Sequence, residues 1–386
     1  MKGDFMKARY AHIDIARGMG ILLVVFGHNW IVSDTKTDLF NVIYSFHMPF
    51  FFFLSGLFFR HTDSLAKLSF NKFDSLLKPY FVTLILFGLA VALAKPLNFA
   101  EYAARVLHST GGSLRTLYGD ENGMTSYWSP LWFLTHLFLL TIVAWLGISA
   151  FEKLQLGIRP RLAFMASFFM LGAVAMNQDW IRGLSFPGDQ YEFKGMPFSL
   201  DLLPVTLGFF LLGYWLREKV FNFSLSLPLL LGALAIFAIC HYAFNATMDL
   251  NKRLYDDVVI TTLEAVCGIY ITLAVAHLLG QGKEVVARVF SYIGEASLLI
   301  LIFHAFIQNK SYYLLETKLG ISGMPAGLIS FTLACALPIA LYYIVERVRL
   351  FALFFLPIKN YWPLRKPQPR MPNAISSGAN SSDGRS

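Results

Sequence analysis

The chain has 386 residues, of which 56% are hydrophobic and only 15% charged. A soluble domain carries about 25% charged residues, so this balance argues against a large soluble enzyme. The net charge of +8 would suit a nucleic-acid partner, but the placement of the basic residues along the chain argues against one.

Apolar blocks of roughly 18 residues or more recur from end to end, long enough to cross a bilayer core of about 30 Å. Ten spans are predicted, at about 13–32, 41–59, 78–95, 130–148, 161–178, 200–217, 227–246, 258–280, 289–309 and 324–345. The first is a retained helix rather than a signal peptide, because no small-residue cleavage site follows it and Arg17 interrupts its apolar run. Lys and Arg gather in alternate connections: Lys2, Lys7 and Arg9; Arg60, Lys67, Lys72 and Lys78; Lys153, Arg159 and Arg161; Arg217 and Lys219; Lys283 and Arg288; then Arg347 onward. The intervening connections are acidic or balanced, with Asp34 and Asp38 around Lys36, and Glu101, Asp120 and Glu121 against Arg105 and Arg115. Basic connections stay on the cytoplasmic side. The expected fold is therefore all-α, a polytopic membrane bundle of about ten helices with both termini cytoplasmic. The basic excess faces the inner surface, and no nucleic-acid partner is needed to explain it.

The membrane domain is expected over 1–358, followed by a Pro-, Ser-, Asn- and Gly-rich basic tail, 359–386, read as disordered. Two long outer connections, about 96–129 and 179–199, are rich in Gly, Asn, Tyr and acidic residues. Loops of that length suit the handling of an external substrate. Cys240, Cys267 and Cys335 lie in apolar runs and read as small core residues. Their spacing indicates neither a metal site nor a disulfide framework.

The chemistry concentrates in the first span, "HIDIARGMGILLVVFGHNW". Arg17 and His28 are eleven residues apart, about three turns plus 20° along a helix, with a rise of about 16 Å. Both side chains then share one face at different depths, Arg17 near the cytoplasmic surface and His28 in the outer half. A charge inside a membrane helix costs several kcal/mol unless it faces protein or water, so the pair reads as a functional site. Asp14, one turn before Arg17, can pair with it. Gly18 and Gly20 allow another backbone to come close. Elsewhere, His47 sits beside the helix-breaking Pro49. Ser55 has either its own helix backbone or a substrate to bond. Trp132 can stack on a sugar ring or pack, and Ser297 and His304 share one helix face. His136 reads as structural. Glu264 reads as paired with a neighbouring helix, and Glu295 as flanking the ninth span.

"IDIARGMGILLVVFGH" resembles the opening signature of the acyltransferase-3 family of bacterial multispanning membrane acyltransferases, with Arg, ten residues, then His. "FHMPFFFFLSGLFFR", "LWFLTHLF" and "YIGEASLLILIFHAF" resemble later blocks of that family in order, so the likeness covers nearly the whole chain before the tail. It is nearest to the stand-alone members that O-acetylate sugars and exopolysaccharides. In one departure, the paired arginines that often precede the family's third span are replaced by Lys72 and Lys78. Lysine lacks arginine's bidentate fork, which leaves a cationic rim rather than a shaped phosphate contact.

The resemblance implies an enzyme of the bacterial inner membrane with no permanently bound cofactor and no metal. Acyl-CoA, by default acetyl-CoA, would be co-substrate, and a glycan or lipid-linked sugar the acceptor. Arg17, Lys72 and Lys78 would hold the charged donor, and Arg17 and His28 would form the catalytic pair. Asp14, His47, Ser55, Trp132, Ser297 and His304 would support the site or bind the acceptor. An alcohol needs a base to remove its proton as it attacks, and a neutral histidine serves, so His28 is expected to be that base. Ten spans with scattered ionisable groups also suit a transporter or flippase of a glycan or small metabolite. The ordered Arg-to-His block favours the enzyme. The acyl group, the acceptor and the oligomeric state are not legible in the sequence.

Overall fold

A computed structural model describes residues 10–33, 38–61, 64–94, 96–115, 117, 128–155, 157–178, 195–244 and 246–358. The expected tail 359–386, Lys2, Lys7, Arg9, Asp34, Lys36, Asp120, Glu121 and most of the second long connection lie outside these residues. In chain order the helices are α1 (Ala11–Gly27), α2 (Trp30–Ser33), α3 (Asp38–Leu57), α4 (Leu65–Lys72), α5 (Lys78–Ala94), α6 (Phe99–His108), α7 (Gly111–Arg115), α8 (Trp132–Lys153), α9 (Ile158–Met176), α10 (Leu203–Phe221) and α11 (Leu227–Phe244). A short hairpin, β1 (Met248–Asp249) with β2 (Leu254–Tyr255), comes next. Then come α12 (Val258–Gln281), α13 (Glu284–Glu295), α14 (Ser297–Leu319), α15 (Gly323–Val345) and α16 (Arg349–Phe355). Among the described residues, nine helical segments are long and apolar enough to cross a membrane. The protein is an all-α, multi-pass membrane bundle.

The first span is the exception to that length. Periodicity predicts one helix over 13–32, but α1 stops at Gly27 and a new turn, α2, starts at Trp30. The cause is Asn29. Its Oδ1 accepts the Ile31 N–H at 2.9 Å and its Nδ2 donates to the Gly327 carbonyl at 3.0 Å. Side-chain bonds of this kind offer the backbone an alternative to the helix ladder. His28 therefore sits at the C-cap of α1 rather than in the middle of a helix.

Helix α1 is the hub, packing against α3, α12, α13, α14 and α15. Ile13, Ile15, Ala16 and Val25 are fully buried there. At Gly18, α1 meets α13 so closely that an added Cβ would stand 2.1 Å from the Phe290 carbonyl oxygen. The most extensive contact joins α3 to α10, helices whose Phe50, Phe52, Phe209 and Phe210 are fully buried. There Gly56 faces the Phe210 carbonyl and Gly213 the Phe53 carbonyl, the close approach that small residues permit between membrane helices. Leu171, Leu229, Ile239, Leu328 and Leu337, on α9, α11 and α15, point outward as a lipid-facing rim would.

Buried polar side chains tie helices together. His136 bonds the Phe198 carbonyl through Nδ1 and the Thr206 hydroxyl through Nε2, the structural role expected of it. Glu264 has the helix partner anticipated for it: His241 bridges Glu264 (2.9 Å) and Asp38 (2.8 Å), joining α12, α11 and α3. Lys78 is expected from the sequence at the donor site, but its Nζ lies 2.6 Å from both Asp74 Oδ1 and the Leu356 carbonyl. Asp74 Oδ2 in turn accepts the Ile358 N–H, so this lysine fastens α5 to the end of α16.

The close approach at Gly18 makes a stability prediction. Gly18→Leu should destabilise the protein by about 1–3 kcal/mol through overpacking. Gly147→Leu, where nothing lies within 4 Å of an added Cβ, should leave it unchanged. Thermal unfolding of the detergent-solubilised protein distinguishes the two.

Candidate active site

Two cavities abut along the inner face of α1. The larger, of about 340 Å³, is lined by Arg17, Ser55, Lys72, Ser75 and Ser297 among apolar side chains. The smaller, of about 40 Å³, is lined by His28, Tyr44, His47, Ser129, Trp132, Asp249 and Asn251. Val24, Met48, Phe133 and Leu301 line both and form an apolar neck between them. The Arg17-to-His28 face read from helix periodicity thus lines both adjoining cavities, with cations at one and imidazoles at the other.

At the cationic end, the Arg17 guanidinium lies 3.7 Å from Asp14 Oδ1 and 5.4 Å from the centre of the Phe58 ring. Asp14 and Arg17 thus form the ion pair that their spacing allows. Lys72 lines the same cavity. It stands six residues before Lys78, about 240° round a regular helix, with a π-helical turn, Phe73–Leu77, between them, so the two lysines have different surroundings. Ser55 lines the cavity, while its hydroxyl donates to the Phe51 carbonyl of its own helix at 2.8 Å.

At the other end three histidines meet the same local rule. His28 Nδ1 donates to the Val24 carbonyl (2.9 Å), His47 Nδ1 to Ile43 (2.8 Å) and His304 Nδ1 to Ile300 (2.8 Å). A carbonyl oxygen can only accept, so in each ring Nδ1 carries the proton and the neutral form has its lone pair on Nε2. His304 packs edge-on against His28, with ring centres 5.2 Å apart. Its Nε2 is buried with no partner among the described residues. Tyr44 stands between His28 (6.2 Å) and His47 (4.7 Å). The described residues contain no group of three His, Cys, Asp or Glu placed to hold a metal ion.

The structure thus brings together Arg17, Asp14, Lys72, Ser55 and Ser297 at one cavity, and His28, His47, Trp132 and His304 at or beside the other. Lys78 alone of the sequence-derived residues is held elsewhere. Tyr44, Ser75, Ser129, Asp249 and Asn251 join the site without having been singled out by the sequence. Tyr44 was findable, three residues before His47 and hence on its face of the helix. Asp249 and Asn251 sit in a short polar hairpin whose pairing with the site carries no periodic signal.

That hairpin is fixed by a buried ion pair. Arg253 and Asp201 both have fully buried side chains, with Nε and Oδ2 2.8 Å apart. Ser199, in left-handed backbone, accepts from Arg253 Nη2 at 3.1 Å. Burial and the Arg253 guanidinium push the neighbouring His108, in the connection between spans, down to about 4, so it adds no charge here near neutral pH.

The sequence model of the acyltransferase-3 family, described as an acyltransferase domain, matches residues 10–345. No curated protein and no solved structure matches the chain significantly.

Removing one partner of a buried ion pair costs about 3–5 kcal/mol. Arg253→Met should therefore destabilise the protein by that order, while Arg253→Met with Asp201→Leu should recover much of the loss. Unfolding midpoints of the two variants in detergent provide the comparison.

Proposed function

The chain belongs to the acyltransferase-3 family, and from that premise we propose that this membrane acyltransferase is an O-acetyltransferase. It moves an acetyl group from acetyl-CoA to a hydroxyl of a cell-surface glycan or its lipid-linked precursor, in the bacterial inner membrane. The observation that carries this reading is that one face of α1 lines two adjoining cavities, one holding Arg17 and Lys72 and the other His28. The alternation of basic and acidic connections supports a cytoplasmic position for the Arg17 end, where a CoA donor is available.

Arg17 and Lys72 would meet the phosphate-bearing part of the donor, with arginine giving the directional contact and lysine the point charge. The thin pantetheine arm would run through the apolar cavity and bring the thioester past the neck to His28. There the acceptor hydroxyl attacks the thioester carbonyl as His28 Nε2 takes its proton. The tetrahedral intermediate collapses, the C–S bond breaks, and the imidazolium returns the proton to the departing thiolate. Ester and free CoA thiol leave, and His28 is restored.

The test is transfer of radiolabel from acetyl-CoA, labelled in the acetyl group, into a glycan fraction by membranes holding equal amounts of each variant. Loss of a general base costs about 10²–10⁴-fold, so His28→Ala should fall by that order. Transfer equal to that of the unaltered protein would end the role given to His28. Arg17→Ala and Lys72→Met should raise the KM for acetyl-CoA. Lys78→Met should leave that KM unchanged and lower the unfolding temperature. A donor KM that rises with Lys78→Met instead would place the donor elsewhere.

A further inference from the structure

The small cavity has a wall that acyl transfer at His28 does not use. Asp249 and Asn251, from the hairpin, line it together with His28. The Asp249 side chain is only 7% exposed. One of its oxygens accepts the Lys252 N–H at 3.0 Å, and the other lies 3.3 Å from Lys252 Nζ. An ionised carboxylate offers about four acceptor positions, so Asp249 keeps capacity in reserve. It lines the cavity with both His28 and Tyr44. Asn251 Oδ1 is buried with no partner among the described residues. It is set so tightly against α7 that a Cβ on Gly111 would come within 1.8 Å of it.

The hairpin is also rigid from behind. Arg253 Nη1 donates to the Asn251 carbonyl at 3.1 Å while its other nitrogens hold Asp201 and Ser199. The Asn251 backbone is therefore locked by the same side chain that anchors the loop. Spare acceptors on a locked support, in a cavity shared with a base, suit a ligand that brings several O–H donors. One hydroxyl would go to His28 Nε2 and its neighbours to the hairpin.

We propose that the β1–β2 hairpin is the acceptor-binding element, with Asp249 and Asn251 accepting hydrogen bonds from hydroxyls next to the one that is acylated. The acceptor is then a polyol with neighbouring hydroxyls, as on a sugar ring, rather than an isolated alcohol. This inference rests on the acyl-transfer reading above. Asp249 and Asn251 hold the acceptor in position, and the proton still goes to His28.

The experiment uses the full-length protein in lipid nanodiscs, as wild type, Asp249→Asn and Asn251→Ala. Binding of radiolabelled acetyl-CoA is measured first, then transfer of label to a glycan fraction with cis-1,2-cyclohexanediol or cyclohexanol added as competitor. Each variant should lose about ten- to a hundredfold in transfer, the range for a hydrogen bond to a charged or buried group. Donor affinity should stay within about twofold, which also shows that the variants are folded. The diol should compete in the wild type and not in Asp249→Asn, and cyclohexanol should compete in neither. Unchanged transfer in both variants overturns the proposal. So does a parallel loss of donor binding, or competition by cyclohexanol as strong as by the diol. A wild type that binds no acetyl-CoA overturns the acyl-transfer reading itself, and the hairpin's role with it.

Discussion

Inside a bilayer no water is present to satisfy a polar group, so the protein must pair every buried donor, acceptor and charge itself. That constraint shapes this chain throughout. Asn29 is bonded on both ends of its amide, His136 on both ring nitrogens, and His241 between two carboxylates. Arg253 is spent on Asp201, Ser199 and a carbonyl, and Lys78 on Asp74 and a carbonyl. Against this background, unspent capacity stands out. Among the described residues six buried side-chain atoms keep no partner, and two of them, His304 Nε2 and Asn251 Oδ1, lie around one small cavity or against the ring that lines it.

The central position of α1 has the same origin. A helix carrying an arginine and a histidine cannot face lipid, so it is surrounded by α3, α12, α13, α14 and α15, and its glycines admit those neighbours closely. The His28 ring reaches back to Val24 through Nδ1, as His47 and His304 reach back within unbroken helices, while Nε2 remains for chemistry. The bond goes to a carbonyl rather than a carboxylate. It fixes the tautomer and the ring orientation without placing another negative charge in the apolar interior.

Helix periodicity made part of this legible in the sequence. The spans, the shared face of Arg17 and His28, the placement of Asp14 beside Arg17, and the turn from Ser297 to His304 all depend only on spacing along one helix. The features that stayed hidden depend on how helices meet or on a break in the period. The two lysines before the third span look equivalent as residues, but which of them meets the cavity depends on how the helices pack: Lys72 lines it, while Lys78 pairs with Asp74. The end of α1 turned on one asparagine inside an otherwise apolar run. Asp249 and Asn251 lie some 220 residues from His28 in the chain, in a hairpin too short to carry a pattern, and only the folded bundle brings them to it.

The proposed reaction also explains why a passage with different ends suits a single histidine. Transfer of an acyl group from a thioester to an alcohol releases no net proton: the one removed from the hydroxyl is the one the thiolate needs. No proton pathway through the membrane is required, and the His241 bridge between Asp38 and Glu264 lies on α11, α12 and the far end of α3, outside both cavities. The fold must instead supply separation. In the proposed reaction a donor bearing several negative charges would be held among Arg17 and Lys72, and an uncharged acyl end would pass an apolar neck of Val24, Met48, Phe133 and Leu301. Beyond the neck, Asp249 would be divided from the donor's phosphates by that apolar collar. On this reading Arg17, oriented beside Asp14, and Lys72 would meet the phosphates at one cavity, and Asp249 would meet hydroxyls at the other, where His28 takes and returns the one proton that moves.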